Sequence, residues 1–376
     1  MIYFDNSATT SVRPEVVRVY TKIADSDYGN PDSLHQLGRK VHATMEKARA
    51  HIAGSIGVKP EEIIFTAGGS EANSLAIIGY ALANTGRGKH VLLSNVEHSS
   101  SAHAGTFLEN LGYEVEYLPV NEQGIITPEL VRDHLRKDTI LVSLMHVNNE
   151  MGAVSPIGEI ADVVHENPTA AFHADCVQSF GKVDIPFAKL DMASVSAHKL
   201  HGLKGSGFLM KKGRVRLVPL IQGGQQEQGL RGGTENAPAN IALAKTVRLA
   251  LEEQERARQT AEKIRDYLKT EIAALPGSHI LSPEAASPFI LTVAFDAITS
   301  EVLCNALDEK GVCVSARSSC SSHYTGANPV LLAMGWTEDE AGHSIRLSFS
   351  GQNTLEEAEA FMKILKEILK TYGLPL

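Results

Sequence analysis

Residues 192–199 read MASVSAHK, a short apolar strand that runs directly into a histidine and a lysine. Most lysines are solvated, but a lysine at a strand end inside a pocket can lose its proton and form a Schiff base with a carbonyl compound. Outward from this stretch, helical segments alternate with further predicted strands, at residues 62–66, 90–94, 139–144, 170–174 and 207–211. This alternation predicts an α/β fold with a largely parallel sheet covered by helices on both faces.

Polar residues close most of the predicted strands. Thr66, Asn148-Asn149 and Asp175 end three of them, and His198-Lys199 ends a fourth. In open α/β sheets, ligands lie beyond the carboxyl ends of the strands. We therefore expect these strand ends to converge on one site.

The last third of the chain has a different pattern. A long helix is predicted over residues 240–275, and Pro276-Gly277 ends it. A shorter set of elements follows: a strand over 289–295, a helix over 300–310, a strand through 312–314 and a helix opened by a capping box at Thr354. We expect a large domain over residues 15–255 and a smaller α+β domain formed by residues 1–14 and 256–376.

Composition excludes several classes of protein. The net charge of -9 leaves no basic footprint for nucleic acid, and the one basic cluster, residues 211–216, is expected to be a solvated hairpin. The four cysteines make neither a C-x-x-C pair nor a disulfide framework, which favours a reduced compartment. No signal peptide and no membrane-length apolar run is seen, so we expect a cytoplasmic protein without a metal site.

Three motifs carry candidate chemistry. Residues 66–73 read TAGGSEAN between a strand and a helix, where glycines and the helix N-terminus can receive an anion; a plain turn capped by Ser70 is equally compatible. Asp175 can hold the proton of a cofactor ring nitrogen, or it can cap the next helix. His98 can stack on a ring and move protons, although a lone histidine is more often a hydrogen-bonded core residue.

A cysteine in a serine-rich stretch is the fourth candidate. Residues 315–322 read SARSSCSS, and a loop of this composition is expected to expose Cys320. An exposed cysteine is reactive when its thiolate is stabilised. Cys176, Cys304 and Cys313 are expected to be small core residues.

These motifs together resemble the cysteine desulfurases, within the fold-type I pyridoxal-phosphate enzymes. The resemblance extends over nearly the whole chain and includes residues 5–10 (DNSATT), 29–31 (GNP), 146–152 (HVNNEMG), 229–236 (GLRGGTEN) and 344–348 (SIRLS). It implies a homodimer that converts L-cysteine to L-alanine. The sulfur would pass to an enzyme persulfide and then to an unidentified acceptor.

The resemblance also implies residue roles. Lys199 would carry the pyridoxal phosphate, Asp175 would pair with its ring nitrogen, Gln178 would bond its ring hydroxyl, and His98 would stack and transfer protons. The phosphate would be bound by Gly69, Ser70, Ser196 and His198, with Thr234 reaching it from the partner subunit. Asn149 and Arg346 would hold the substrate carboxylate, and Cys320 would attack the substrate sulfur.

Alternatives stay open at this level. A selenocysteine lyase has the same sequence pattern, whereas an aminotransferase needs no loop cysteine. A silent sulfur-transfer scaffold is disfavoured by the intact Lys199, Asp175 and His98. Arg317 replaces a residue that is usually small in the family. It would raise thiolate reactivity at Cys320, anchor the loop or contact a partner.

Overall fold

The computed structural model describes residues 1–316 and 328–372. The strands in these ranges are β1 (Ile2–Tyr3), β2 (Ile63–Thr66), β3 (His90–Ser94), β4 (Glu114–Leu118), β5 (Thr139–Met145), β6 (Ala171–Asp175), β7 (Met192–Ser196), β8 (Gly207–Lys211), β9 (Ser278–Ile280), β10 (Ile290–Phe295), β11 (Val312–Cys313) and β12 (Ser344–Ser348). The strands predicted for the first two-thirds of the chain are therefore present, with ends shifted by a residue at most.

The helices of the described residues connect and cover these strands. They are α1 (Pro14–Ser26), α2 (Gln36–Ser55), α3 (Gly69–Ser74), α4 (Tyr80–Ala83), α5 (Ser99–Asn110), α6 (Pro128–His134), α7 (Ile157–Val164), α8 (Ala237–Glu252), α9 (Gln254–Ala273), α10 (Ser300–Glu309), α11 (Pro329–Ala333), α12 (Glu338–Gly342) and α13 (Leu355–Thr371). The capping box predicted at Thr354 is present, because Thr354 accepts from the Glu357 backbone and Glu357 accepts from the Thr354 backbone.

A seven-stranded sheet forms the centre of the larger part, in the order β2-β8-β7-β6-β5-β3-β4. Only β8 runs antiparallel to its neighbours, β2 and β7. Alternate residues along a strand point to opposite faces, so Phe208 and Met210 join one buried cluster while Leu209 joins another. The prediction of a mostly parallel α/β sheet buried on both faces is confirmed.

A third buried cluster lies around the three-stranded sheet β12-β10-β9 and the helices α9, α10 and α13. The N-terminal strand β1 joins this cluster and pairs in parallel with β11. This separation of buried clusters is in line with two domains, and the boundaries at residues 14, 255 and 256 stay a prediction.

The prediction of one continuous helix over residues 240–275 was wrong. The segment forms two helices, α8 and α9, that meet at Glu253, whose backbone is not helical (φ -103°, ψ 0°). The break has a packing cause: α8 lies against α1 and α2, whereas α9 lies against α13 and β10. The Glu253 carboxylate is held at the corner by Arg13 (Nη1–Oε1 2.7 Å).

The helix predicted to follow residues 66–73 also has an irregular centre. Residues 75–79 form a π-helix between α3 and α4. The Gly79 carbonyl accepts a hydrogen bond from Val218 N at 2.9 Å, and a Cβ on Gly79 would lie 2.8 Å from the Val218 carbonyl oxygen. None of the helices in the described ranges is both long enough and apolar enough to cross a membrane.

Candidate active site

One pocket lies beyond the carboxyl ends of β3, β5, β6 and β7. Of the site residues predicted from the sequence, those within the described ranges all line this pocket except Thr234. The pocket is also lined by residues that the sequence did not single out for a role: Ser7, Ala8, Asn73, Ser100, Met145 and Val177. The sheet brings these positions together because the loops after parallel strands leave from the same edge.

Two glycines shape the turn that enters α3. Gly68 has φ +147°, a conformation that favours glycine. A Cβ on Gly69 would lie 2.7 Å from Val177 Cγ2 and force that side chain to move. The turn therefore packs closely against Val177, and Gly69, the exposed Ser70 and the buried Ser196 line the pocket.

Asp175 ends β6 and is buried, with each carboxylate oxygen bound to a donor. Oδ1 accepts from Val177 N at 2.9 Å, and Oδ2 accepts from Asn73 Nδ2 at 2.7 Å. The same Nδ2 group donates its second proton to Ser100 Oγ at 2.9 Å. Asn73 was missed as a site residue, although its place one turn after Gly69 puts both on one helix face.

His98 is the N-cap of α5, and its contacts identify its tautomer. Nδ1 accepts from Ser100 N at 3.2 Å and lies 2.8 Å from Ser100 Oγ. Ser100 Oγ already accepts from Asn73, so its own proton is directed at Nδ1. The neutral ring therefore carries its proton on Nε2. Burial lowers the pKa of His98, and the nearby Asp175 carboxylate partly opposes that shift.

The amine of Lys199 is bound to the N-terminal segment. Nζ donates to Ser7 O at 2.5 Å and to Ala8 O at 2.6 Å. Thr10, in the same N-terminal segment, holds the residue before Lys199 in place. It donates to the His198 carbonyl through N and through Oγ1, both at 2.9 Å. Burial, followed by the Lys199 charge, lowers the pKa of His198 to about 4. The His198 ring is therefore neutral at physiological pH.

Gln178 lies on the turn after β6 with its amide at the pocket wall. Nε2 donates to Ser7 O at 2.9 Å, the same carbonyl that binds Lys199. The amide oxygen accepts from Nζ of Lys182 at 3.3 Å. Lys182 is buried, and the sequence did not single it out.

Arg346 lies on β12 and is 2% exposed. Its guanidinium donates to Asn149 O (3.0 Å), to Glu150 Oε1 (3.2 Å) and to Asp5 Oδ1 (3.2 Å). Nε is buried without a hydrogen-bond partner among the described residues. The Asn149 side chain donates to Glu150 Oε1 at 2.8 Å. The two predicted substrate-binding residues, Asn149 and Arg346, thus both donate hydrogen bonds to Glu150 Oε1.

Thr234 is exposed and does not line the pocket of its own chain. Its glycine-rich loop is held by Glu227, which has a positive φ of 49° and forms a buried double hydrogen bond with Arg49 at 2.7 and 2.8 Å. Glu227 also accepts from Phe65 N at 2.8 Å.

The cysteines divide into two groups. Cys320, like Arg317, lies outside the described residues, so the structure describes neither. Cys176 is buried as predicted, but Cys304 and Cys313 are only half-buried, at the edge of the core. Burial raises the pKa of all three described thiols, that of Cys304 to about 12. These three cysteines are therefore protonated at neutral pH.

Comparisons with known proteins match the whole chain. The model of the aminotransferase class-V family matches residues 2–361. A NifS/IcsS protein homolog of Lactobacillus delbrueckii subsp. bulgaricus is 42% identical, covering 99% of this chain and 98% of that protein. The cysteine desulfurase IscS of Methanosarcina thermophila is 38% identical, covering 98% and 92%. The solved structure of a NifS-like protein has a TM-score of 0.93 at 35% identity, covering 98% and 99%.

Proposed function

The chain belongs to the aminotransferase class-V family, and on that premise we propose that it is a cysteine desulfurase. It depends on pyridoxal phosphate, converts L-cysteine to L-alanine and passes the sulfur through a persulfide on Cys320 to an acceptor. The observation that carries the proposal is one pocket lined by Lys199, Asp175, His98 and Arg346. The mostly parallel seven-stranded sheet that carries this pocket is the large-domain fold of the fold-type I enzymes.

The side chains of the pocket fit this cofactor. The turn at Gly68 and Gly69 excludes side chains where a phosphate would approach the backbone, and Ser196 adds a hydroxyl there. Ser7 Oγ and Asn73 Oδ1 are buried without a partner among the described residues, as expected of groups in a ligand site. When bound, pyridoxal phosphate supplies a protonated pyridine ring that withdraws electrons from the substrate α-carbon.

Asp175 is proposed to keep that ring protonated. Asn73 and Val177 N donate to its two oxygens, which orients the carboxylate. A charged carboxylate is what a pyridinium N–H requires as its acceptor. Lys199 is proposed to bind the cofactor through its amine, and Gln178 to donate to the ring hydroxyl oxygen.

His98 is proposed to supply a proton during turnover. Both donors of Ser100 are directed at Nδ1, so Nε2 holds the mobile proton of the neutral ring. Burial lowers the pKa of His98 and keeps the ring neutral at physiological pH. The Nε2–H group of the neutral ring would donate a hydrogen bond into the pocket, and once Nδ1 takes up a proton the resulting imidazolium would release the Nε2 proton without a ring flip.

Arg346 is proposed to bind the carboxylate of cysteine. Asp5 and Glu150 hold the guanidinium in place, and the unpartnered Nε leaves one edge ready for an acceptor. A carboxylate on that edge would satisfy Nε and form a charge-assisted pair.

The sulfur transfer is assigned to Cys320. Its thiolate would form an S–S bond with the substrate sulfur while the C–S bond of the substrate breaks, and the carbon skeleton would take up a proton and leave as alanine. The raised pKa values of Cys176, Cys304 and Cys313 support this assignment, because a thiol is a poor nucleophile. We propose that Cys320→Ala retains cofactor binding and makes almost no alanine from cysteine.

A homodimer with shared sites completes the proposal. Thr234 is exposed on a firmly held loop, as required of a residue that serves a second subunit. Mixing Lys199→Ala with Thr234→Ala chains would yield heterodimers in which one site is intact. Activity above that of either variant, once subunit exchange is established, would support shared sites.

We also propose a cytoplasmic location, which the low cysteine count supports.

The direct test is incubation of the purified protein with L-cysteine and a thiol reductant, with alanine and sulfide measured together. We expect a yellow protein and equal amounts of the two products. Lys199→Ala should be colourless and inactive. Selenocysteine offered in parallel separates a desulfurase from a selenocysteine lyase, which would turn over selenocysteine alone. A Lys199→Ala protein that still releases sulfide would contradict the assignment.

A further inference from the structure

Lys182 is a buried lysine without a counter-ion. Its residue is 8% exposed, and no carboxylate of the described residues lies within ion-pair distance of Nζ. Its neighbours are the Gln178 amide oxygen at 3.3 Å and the face of Phe289, whose ring centroid lies 5.7 Å from Nζ. A buried lysine without a counter-ion is costly, so its position calls for an explanation.

Lys182 also lies close to the other lysine of the site. Both line a second, smaller pocket, and Lys199 lines the main pocket as well. Burial, and after it the Lys199 charge, lowers the pKa of Lys182 to about 7. The other charged or titratable residues that line this smaller pocket are Arg13, Glu253 and His201, and the charge of Lys182 also contributes to the lowered pKa of His198 in the main pocket. Repulsion between two amines is mutual, so a charge on Lys182 also disfavours a proton on Lys199.

The contact with Lys182 fixes the orientation of the Gln178 amide. In its ammonium form Lys182 only donates, so the oxygen of the amide then faces Nζ and the NH₂ group faces away. Nε2 accordingly donates to Ser7 O at the pocket wall. A flipped amide would place two donors against each other in a buried site, which costs about 1–3 kcal/mol.

We propose that Lys182 is a positioning residue that turns the Gln178 NH₂ group toward the ring oxygen of the cofactor and favours the unprotonated amine of Lys199 through its charge. This inference rests on the proposed function, because it assumes that the pocket binds pyridoxal phosphate. Lys182 itself does not line the main pocket.

The test uses the full-length protein, depleted of cofactor and reloaded with pyridoxal phosphate. Lys182→Met removes the charge and the donor, and Lys182→Gln removes the charge from a residue that stays polar. Lys182→Arg keeps the charge. The measurements are the dissociation constant for pyridoxal phosphate and the pH midpoint of the colour change of the bound cofactor, taken without cysteine.

Loss of the positive charge of Lys182 favours the protonated form of the Lys199 nitrogen. The pH midpoint of the colour change should therefore rise by roughly one pH unit in Lys182→Met and Lys182→Gln. Affinity for pyridoxal phosphate should fall roughly tenfold as the amide loses its orientation. Lys182→Arg should keep the wild-type midpoint. The matched control is Lys211→Met: Lys211 is equally buried, but it lies at the end of β8 and donates to Val215 O.

Two other outcomes count against the inference and differ from each other. A yellow wild type with the same midpoint in all Lys182 variants would overturn the positioning role alone, and would leave Lys182 as a packing residue. A wild type that does not bind pyridoxal phosphate would overturn the proposed function and this inference with it. A Lys182→Met chain that does not fold leaves Lys182→Gln and Lys182→Arg to decide.

Discussion

Ser315 and Arg346 exchange two backbone hydrogen bonds: Arg346 N donates to Ser315 O at 2.7 Å, and Ser315 N donates to Arg346 O at 3.3 Å. Ser315 Oγ also donates to Asp5, which accepts from the Arg346 guanidinium. On the far side of residues 317–327, Asn328 Nδ2 donates to Glu150 Oε2 at 3.2 Å. The residues that flank the segment with Cys320 therefore share one polar network with the proposed carboxylate-binding arginine.

The first prediction concerns substrate binding by this arginine. Arg346→Lys keeps a positive charge between Asp5 and Glu150 but cannot bind a carboxylate through two parallel N–H groups. We expect the KM for cysteine to rise ten- to a hundredfold, equivalent to about 1.5–3 kcal/mol for a charged hydrogen bond, while the yellow colour persists. Steady-state kinetics measure it. Arg258→Lys, on the exposed face of α9, is the control, and an unchanged KM would contradict the assignment.

The second prediction concerns the partner of Asp175. Asn73→Asp has nearly the same shape but replaces a donor with an acceptor, at a position where Nδ2 lies 2.7 Å from Asp175 Oδ2. Two carboxylates this close cannot both ionise readily, so one pKa rises and the pair shares a proton. We expect affinity for pyridoxal phosphate to fall at least roughly tenfold, since one pKa unit corresponds to about 1.4 kcal/mol.

Fluorescence titration of the cofactor-depleted protein measures that affinity. Asn84→Asp is a suitable control, because Asn84 ends the same helical segment and donates to the Tyr80 carbonyl away from the pocket. Wild-type affinity in Asn73→Asp would show that Asp175 does not depend on this neighbour.

The third prediction concerns the loop that carries Thr234. Glu227→Gln removes the buried negative charge opposite Arg49, whose remaining carboxylate partner is the half-exposed Glu46. Removing one partner of a buried ion pair costs about 3–5 kcal/mol, so we expect a loss of that order in the free energy of unfolding. Urea denaturation measures it. Glu367→Gln, in an exposed pair with Lys310, should change stability by less than about 1 kcal/mol. Equal effects of the two substitutions would contradict the anchoring role of Glu227.

The fourth prediction concerns Glu97, a half-buried residue next to His98 whose carboxyl oxygen Oε2 is buried. Oε1 accepts from Ser94 Oγ and Met145 N, whereas Oε2 has no partner among the described residues. Burial raises its pKa from the usual 4.5 to about 8. The folded chain therefore holds a proton that the unfolded chain loses between these two pH values, and the free energy of unfolding contributed by Glu97 falls as pH rises through that window.

Glu97→Gln removes this titration, so its stability should fall less than that of the wild type between about pH 5 and pH 8. Urea denaturation at several pH values gives the difference between the two proteins, in which other titrating groups cancel. Glu122→Gln, on an exposed turn, serves as the control. Parallel stability curves for wild type and Glu97→Gln would show that the carboxyl group is ionised throughout.

Local patterns in the sequence determined most of the secondary structure. Short apolar runs bounded by polar residues predicted β3, β7 and β8 to the residue, because strand formation depends on side chains two positions apart. The polar ends of the strands likewise predicted that Asn149, Asp175 and Lys199 lie at one edge of the sheet, since parallel strands share that edge. The break at Glu253 was not predictable in this way, as no glycine or proline marks it.

Tertiary structure alone decided which polar groups pair inside the site. Asn73 lies 102 positions from Asp175, and Arg346 lies 341 positions from Asp5. Such contacts leave no periodic trace, because the burial cost that selects a hydrogen-bond partner depends on distance in space and not along the chain. Lys182 and Gln178 are only four residues apart, yet a lysine in a sequence looks like any solvated lysine. Only the packing of Phe289 and Lys199 around Lys182 shows that its side-chain nitrogen is buried.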